Sequence, residues 1–296
     1  MEIKNYVEFK KERDLGAIIT DAFKFIRIEW KQFFGLVFKI AVVPILLAIA
    51  ALLYYSYSAS TMLSGIDFEG GDNTSLDIIS NTGNLFSSMF LMVIFAMVAY
   101  VFVNLGSLYY IKSYIDNNGV INKEEIKQQV KDKFWSFIGL GILTFLIVMA
   151  SALLCFFPIF YTGIVLSLAT SILVFENKSV SETISRSFNF IKGHFWDTFG
   201  VLFVVGLLIT VLGYIFQIPV LIYQLIKMGT VLGTTDPTEA LGLFNDPIYL
   251  SLMTLSYVGK YLFYSITLIT TVFIYFDINE QKNATGTIER IDSLGN

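Results

Sequence analysis

Six stretches of this chain, at residues 33–57, 85–111, 134–157, 159–175, 197–218 and 249–276, are nearly unbroken runs of apolar side chains. An α-helix needs about 20 such residues to cross about 30 Å of hydrocarbon. No water is present at that depth to satisfy exposed backbone groups, so a segment of this length and composition crosses as a helix. The rest of the composition agrees. Charged residues make up only 15% of the 296, against roughly 25% in ordinary globular proteins. The expected class is an all-α integral membrane protein with six transmembrane helices, in contact with the lipid bilayer. The one cysteine, Cys155, excludes a disulfide within the chain, and the one histidine, His194, excludes a histidine cluster, so no metal or other cofactor is expected.

The segments between the blocks set the orientation. All 20 Lys and Arg except Lys39, Lys227 and Lys260 lie in segments that six crossings place on the side of the N-terminus. Positive charge is retained on the cytoplasmic side. Both termini are therefore expected in the cytoplasm of a bacterial inner membrane, with residues 1–13 as a loose tail and 277–296 as a second polar tail. Residues 58–84 and 220–247 become outer loops, carrying Asp67, Glu69, Asp72 and Asp77 in one and Asp236, Glu239 and Asp246 in the other. About 30 polar or amphipathic residues precede the first block, which is expected to act as an uncleaved anchor. Pro44 is a candidate kink, Pro219 ends the fifth span, and Pro158 lies at the turn of a central hairpin that could also be a re-entrant pair.

Two amphipathic segments feed directly into spans. In residues 14–31, Leu15, Ile19, Phe23, Ile26 and Trp30 recur at helical spacing, opposite Asp21, Lys24, Arg27 and Lys31. Residues 179–195 repeat this pattern at an offset of 165 positions, from Asp14 to Ser179. Val180, Ile184, Phe188, Ile191 and Phe195 form the second stripe, and Phe34-Gly35 aligns with Phe199-Gly200. Asp14 and Ser179 are both helix-capping types, and Ser179 with Glu182 makes an S-x-x-E capping box. The expectation is two interfacial elbow helices heading a parallel internal repeat, 14–115 and 179–280, around the central hairpin.

The run Glu176…Ser179-x-Ser181-Glu182…Ser185-Arg186-Ser187-Phe188…Lys192-Gly193-x-Phe195-Trp196…Phe199-Gly200 resembles a motif of the bacterial membrane-domain family named for some glycerophosphoryl diester phosphodiesterases. The ending Tyr275-Phe276-Asp277…Glu280-x-Lys282 resembles that family's closing pattern, with Lys282 one position late. The resemblance implies a six-span fold and no chemistry of its own. In those phosphodiesterases the reaction belongs to a separate soluble barrel, which is not expected here.

Among ionisable residues Lys260 is the candidate intramembrane site. It lies about 11 residues inside the last span, roughly 17 Å at 1.5 Å per residue, and a charge at depth suggests function by default. The competing reading is a lysine that snorkels to the interface. Asn104 and Gln217 are expected as helix–helix hydrogen bonds. Lys24, Arg27, Lys31, Arg186 and Lys192 are candidates for holding anionic lipid headgroups, each worth about 1 kcal/mol near the surface. No nucleophile, acid and base converge, and no nucleic-acid motif is present. The expected function is that of a non-enzymatic scaffold or accessory subunit for an unidentified membrane or envelope protein. The alternative is a transporter or lipid-handling protein with a site between the repeats near Lys260.

Overall fold

A computed structural model describes residues 6–64, 75–154, 156–231, 243 and 245–294. Cys155 and most of the acidic residues assigned to the outer loops lie outside the described residues. The described residues are all-α. In chain order the helices are α1 (Leu15–Ser64), α2 (Ser75–Asp116), α3 (Lys123–Leu154), α4 (Phe156–Leu166), α5 (Ala169–Phe175), α6 (Val180–Phe190), α7 (Phe195–Val231), α8 (Pro247–Asn283) and α9 (Thr285–Leu294). Six helical segments are long and apolar enough to cross a membrane. The chain is an all-α, multi-pass membrane protein.

Several boundaries differ from those read along the sequence. Pro219 does not end its span but lies inside α7, as Pro44 lies inside α1. One missing backbone donor is tolerated in a long apolar helix whose other bonds hold. The segment 159–175 is split at Ser167-Leu168 into α4 and α5. The expected first elbow is not a separate helix: α1 runs unbroken for 50 residues from the amphipathic segment into the span. The second elbow does break, because α6 ends at Phe190 and Gly193 turns the chain with φ +87 before α7 begins. At the shared offset Gly193 corresponds to Ile28. A β-branched residue resists positive φ, so the helix continues through it, whereas glycine adopts that conformation freely. Gly193→Ala should therefore lower thermal stability by about 1–2 kcal/mol. Unchanged melting would mean that the α6–α7 corner does not depend on left-handed backbone.

The chain divides into two compact units, residues 1–40, 101–209 and 264–296 in the first, and 41–100 and 210–263 in the second. In the first unit the buried face of the α1 segment is Ile18, Ala22, Phe25, Glu29 and Phe33. The stripe picked out by spacing lies beside it, with Leu15 and Trp30 exposed and Ile19, Phe23 and Ile26 half-buried. Most of the buried positions nevertheless repeat at the same offset, the exception on this face being Glu29, which aligns with half-buried His194. Ile18, Ala22, Phe25, Phe33 and Leu36 are matched by Thr183, Ser187, Phe190, Thr198 and Val201, and Tyr110 by Tyr275, all buried. The caps match as well. Asp14 Oδ1 accepts the Ala17 N–H at 2.7 Å, and Ser179 and Glu182 form the capping box.

Neither tail is loose where it is described. The segment ahead of α1 is pinned into the first unit by Phe9, which is fully buried and stacked on Phe273 with ring centroids 4.2 Å apart. Val7 N–H donates to the Tyr114 hydroxyl at 2.9 Å. Arg13 is buried, and its guanidinium donates to Asp21 and to the carbonyls of Glu8, Phe9 and Lys11. At the other end α8 continues to Asn283, and Glu280 accepts bonds from Gly286 N–H, Thr287 N–H and the Thr287 hydroxyl at 2.7–2.8 Å. That carboxylate fixes the start of α9, and ion pairs of Glu289 with Lys10 and of Arg290 with Glu8 join the two termini. A glycine is required at 286, where the Lys10 carbonyl leaves no room for a Cβ.

The second unit packs Val220, Leu243 and Tyr249 together. Asp246 caps α8, accepting from Ile248 N–H at 2.9 Å, from the Tyr223 hydroxyl at 2.7 Å and from the Lys227 ammonium at 3.0 Å. The Tyr223 hydrogen bond leads in holding its carboxyl down at about 2, with Lys227 and the backbone N–H groups adding to it. A depressed carboxylate stabilises above its ordinary range, near pH 4, and loses that contribution as pH falls toward 2. Asp246→Asn should thus melt below the wild type at neutral pH, with the gap closing in acid. A gap that persisted unchanged to the acid limit would count against this cap.

Candidate functional site

The candidate residues fall into three sets: polar residues within the spans, the motif around Arg186, and the lysines of one cavity. Lys260 is exposed, and its ammonium lies 5.0 Å from the ring centroid of Tyr257, one turn back toward Pro247. Tyr257 and Tyr261 line a small apolar recess of about 60 Å³ with Ile45, Ala48, Ile49 and Leu52. Lys260 itself is not among the residues lining that recess. Such a lysine, laid along its own helix, has the geometry of a snorkelling side chain. Gln217 Oε1 accepts the Ser256 hydroxyl at 3.2 Å, a bond between α7 and α8 as expected. Asn104 is fully buried in α2.

The second group is the motif around Arg186, and its members mostly serve one another. Arg186 donates to both oxygens of Glu176 at 3.1 Å and lies 5.0 Å from the Phe190 ring. It already holds an anion within the chain, the Glu176 carboxylate. Lys192 donates to Asn189 Oδ1 at 2.8 Å. Lys282 points into the corner after α6 and donates to the Phe190 carbonyl at 2.6 Å and the Lys192 carbonyl at 3.2 Å. Those carbonyls have no partner further along the helix, and a cation there completes the helix end. Phe190 and Phe175 both stack on Tyr275, at 5.2 and 5.5 Å. The two separate sequence patterns are thus one clasp that fastens the α6 corner to the last span.

The third group forms the candidate site. A cavity of about 180 Å³ is lined by Lys31, Gln32, Gly35, Leu36, Lys39, Tyr110, Ile121 and Lys123. Lys31 and Lys39 lie two turns apart on α1, and Lys123 opens α3. Among the described residues their ammonium groups make no ion pair or hydrogen bond, and Lys31 lies 5.6 Å from the Trp30 ring. No carboxylate lines the cavity. Lining Tyr110 donates its hydroxyl to buried Glu29 at 2.8 Å. Of the headgroup candidates only Lys31 belongs here; Lys24 and Arg27 lie outside this lining. Lys39 and Lys123 were missed because they are far apart in sequence and neither belongs to the amphipathic stripe.

A second cavity, of about 280 Å³, is lined by residues of the α1 start, the α7 start and the end of α8. Asp197 and Val201 line it where Gln32 and Leu36 line the first, at the repeat offset. Its lining also includes Asp14, His194, Thr198, Asp277 and Gln281, so the two cavities differ in charge. Among the described residues no cluster of His, Cys, Asp and Glu is arranged to hold a metal ion. No family model matches the chain, and neither the curated proteins nor the solved structures include one similar to it.

Proposed function

We propose that this protein is a non-enzymatic accessory component of a bacterial inner membrane that holds anionic lipid at the inner leaflet. The observation that carries the reading is the cavity of Lys31, Lys39 and Lys123. Three lysines line one recess with no lining acid, and like charges gathered this way are relieved by an anion. A phosphate is the anion that a membrane surface supplies. Its oxygens can accept from all three lysines, while Leu36 and Ile121 offer an apolar margin for the adjoining chain. The clasp around Arg186 favours support over chemistry, because its polar atoms are spent on the fold. Exposed Lys260 lends no comparable argument for a translocation path.

The test is lipid retention by the purified full-length protein. In mild detergent after reconstitution from mixed phosphatidylglycerol and phosphatidylcholine, phosphatidylglycerol should be enriched in native mass spectra. The preference should weaken as salt rises, since exposed charges are screened. Equal retention of the two lipids would overturn the proposal.

A further inference from the structure

The lysine cavity also discriminates between kinds of phosphate, an inference that rests on its proposed reading as an anion site. Lys39 sets the demand. It lies nine residues beyond Trp30 on the unbroken α1, about 13 Å further along the helix at 1.5 Å per residue. All three tryptophans of the chain, Trp30, Trp135 and Trp196, are exposed close to the start of an apolar run. Such rings settle at the membrane interface. Lys39 is therefore an exposed ammonium deeper than that level, with no ion pair or hydrogen bond among the described residues. A charge at such depth is costly without a partner. A helical side chain leaves its backbone tilted toward the N-terminus, which here is toward Gly35 and Lys31. Gly35 keeps that wall bare, with nothing within 4 Å of where a Cβ would stand.

Lys123 joins the cavity from the start of α3. The acids of the same first turn are turned to other partners. Glu124 pairs with Lys127 at 3.2 Å, and Glu125 accepts from the Gln129 amide at 3.0 Å. The lining is thus rich in donors, and a single negative charge would leave two of the three lysines uncompensated. Phosphate esters differ in this respect. A diester such as phosphatidylglycerol carries one charge on two free oxygens. A monoester carries about −1.5 to −2 at neutral pH, on three. Lysine meets phosphate as a freely rotating point charge with three donors, so three lysines around three terminal oxygens need no special angles.

We propose that this cavity selects a terminal phosphate monoester over a phosphodiester, with Lys31, Lys39 and Lys123 each taking one of its oxygens. The monoester can belong to a lipid, of which phosphatidic acid is the simplest, or to a small soluble phosphate.

The experiment uses the full-length protein in nanodiscs. Phosphatidic acid and phosphatidylglycerol compete in equal amounts in phosphatidylcholine discs, with retention read by native mass spectrometry. Methyl phosphate and dimethyl phosphate are titrated calorimetrically into discs of phosphatidylcholine alone. Phosphatidic acid should be retained at least about tenfold over phosphatidylglycerol, since each lysine meets nearly twice the charge. Lys39→Gln should cut that ratio about fivefold. Lys131→Gln, at an exposed lysine outside the lining, should leave it unchanged. Preference for methyl over dimethyl phosphate without a lipid preference assigns the site to a soluble phosphate. Lipid preference, with or without it, assigns the site to a headgroup, and either result supports the proposal. If neither monoester is preferred over its diester in the wild type, or if the two variants lose the preference equally, the proposal fails. Phosphatidylglycerol still retained over phosphatidylcholine in that case leaves the anionic-lipid reading standing, and loss of that retention as well removes both.

Discussion

Phe9→Ala is expected to destabilise the protein by about 3–5 kcal/mol, the cost of emptying an aromatic side chain from a packed core. Phe9 is fully buried, stacked on Phe273 and edge-on to Phe25 at 5.3 Å. It is also within 6.1 Å of Tyr114 and 6.0 Å of Phe276. These rings come from helices far apart in sequence, so the hole left by truncation cannot close by moving one of them. The loss should reach beyond packing, because the Phe9 carbonyl accepts from Arg13 at 2.8 Å and the Arg13 N–H holds Asp277. Thermal unfolding in detergent measures it, with Trp135→Ala as the control. Trp135 is larger but 76% exposed, and exposed truncations usually stay within about 0.5 kcal/mol. If the two variants melted alike, the N-terminal segment would not be the core element described here.

The triple variant Lys31→Gln, Lys39→Gln, Lys123→Gln should lose about 100-fold in phosphatidylglycerol retention. Each basic residue near an anionic surface contributes about 1 kcal/mol, and about 3 kcal/mol corresponds to two decades in affinity. The side chains are exposed and have no ion pair or hydrogen bond among the described residues, so the fold should survive their replacement. The pair Lys24→Gln, Arg27→Gln removes two charges from the same helix outside the cavity. Under a diffuse surface attraction it would cost two thirds as much as the triple variant. Under a built site it should cost far less. Comparable losses per charge in the two variants would reduce the lysine cavity to ordinary positive-inside bias.

Much of the fold is legible in the chain because the bilayer imposes simple rules. Apolar length sets the spans, and the offset between Asp14 and Ser179 predicts two capped entries, most of whose buried positions fall in register. The difference between the entries is legible too, once Gly193 is set against Ile28. Other features were opaque for identifiable reasons. The face that looks most apolar by spacing is not the buried one, since a membrane helix can expose its apolar residues without cost and periodicity then stops marking the core. Arg186 and Lys192 look like surface charges until Glu176, Asn189 and Lys282 are placed beside them.

The sequence by itself determined the class, the crossing segments, the capped entries and the absence of recognisable catalytic motifs, because these depend on length, local spacing and residue type. Only the tertiary structure decided which charges are spent and which are available. Lys31, Lys39 and Lys123 gather around one recess, whereas Arg186 is neutralised by Glu176 and Lys260 lies exposed along its own helix. It also turned two polar tails into a joined strap anchored by buried Phe9, Arg13 and Glu280. Whether a charge binds a ligand or holds the fold depends on what lies within a few ångströms of it, and those neighbours come from distant parts of the chain.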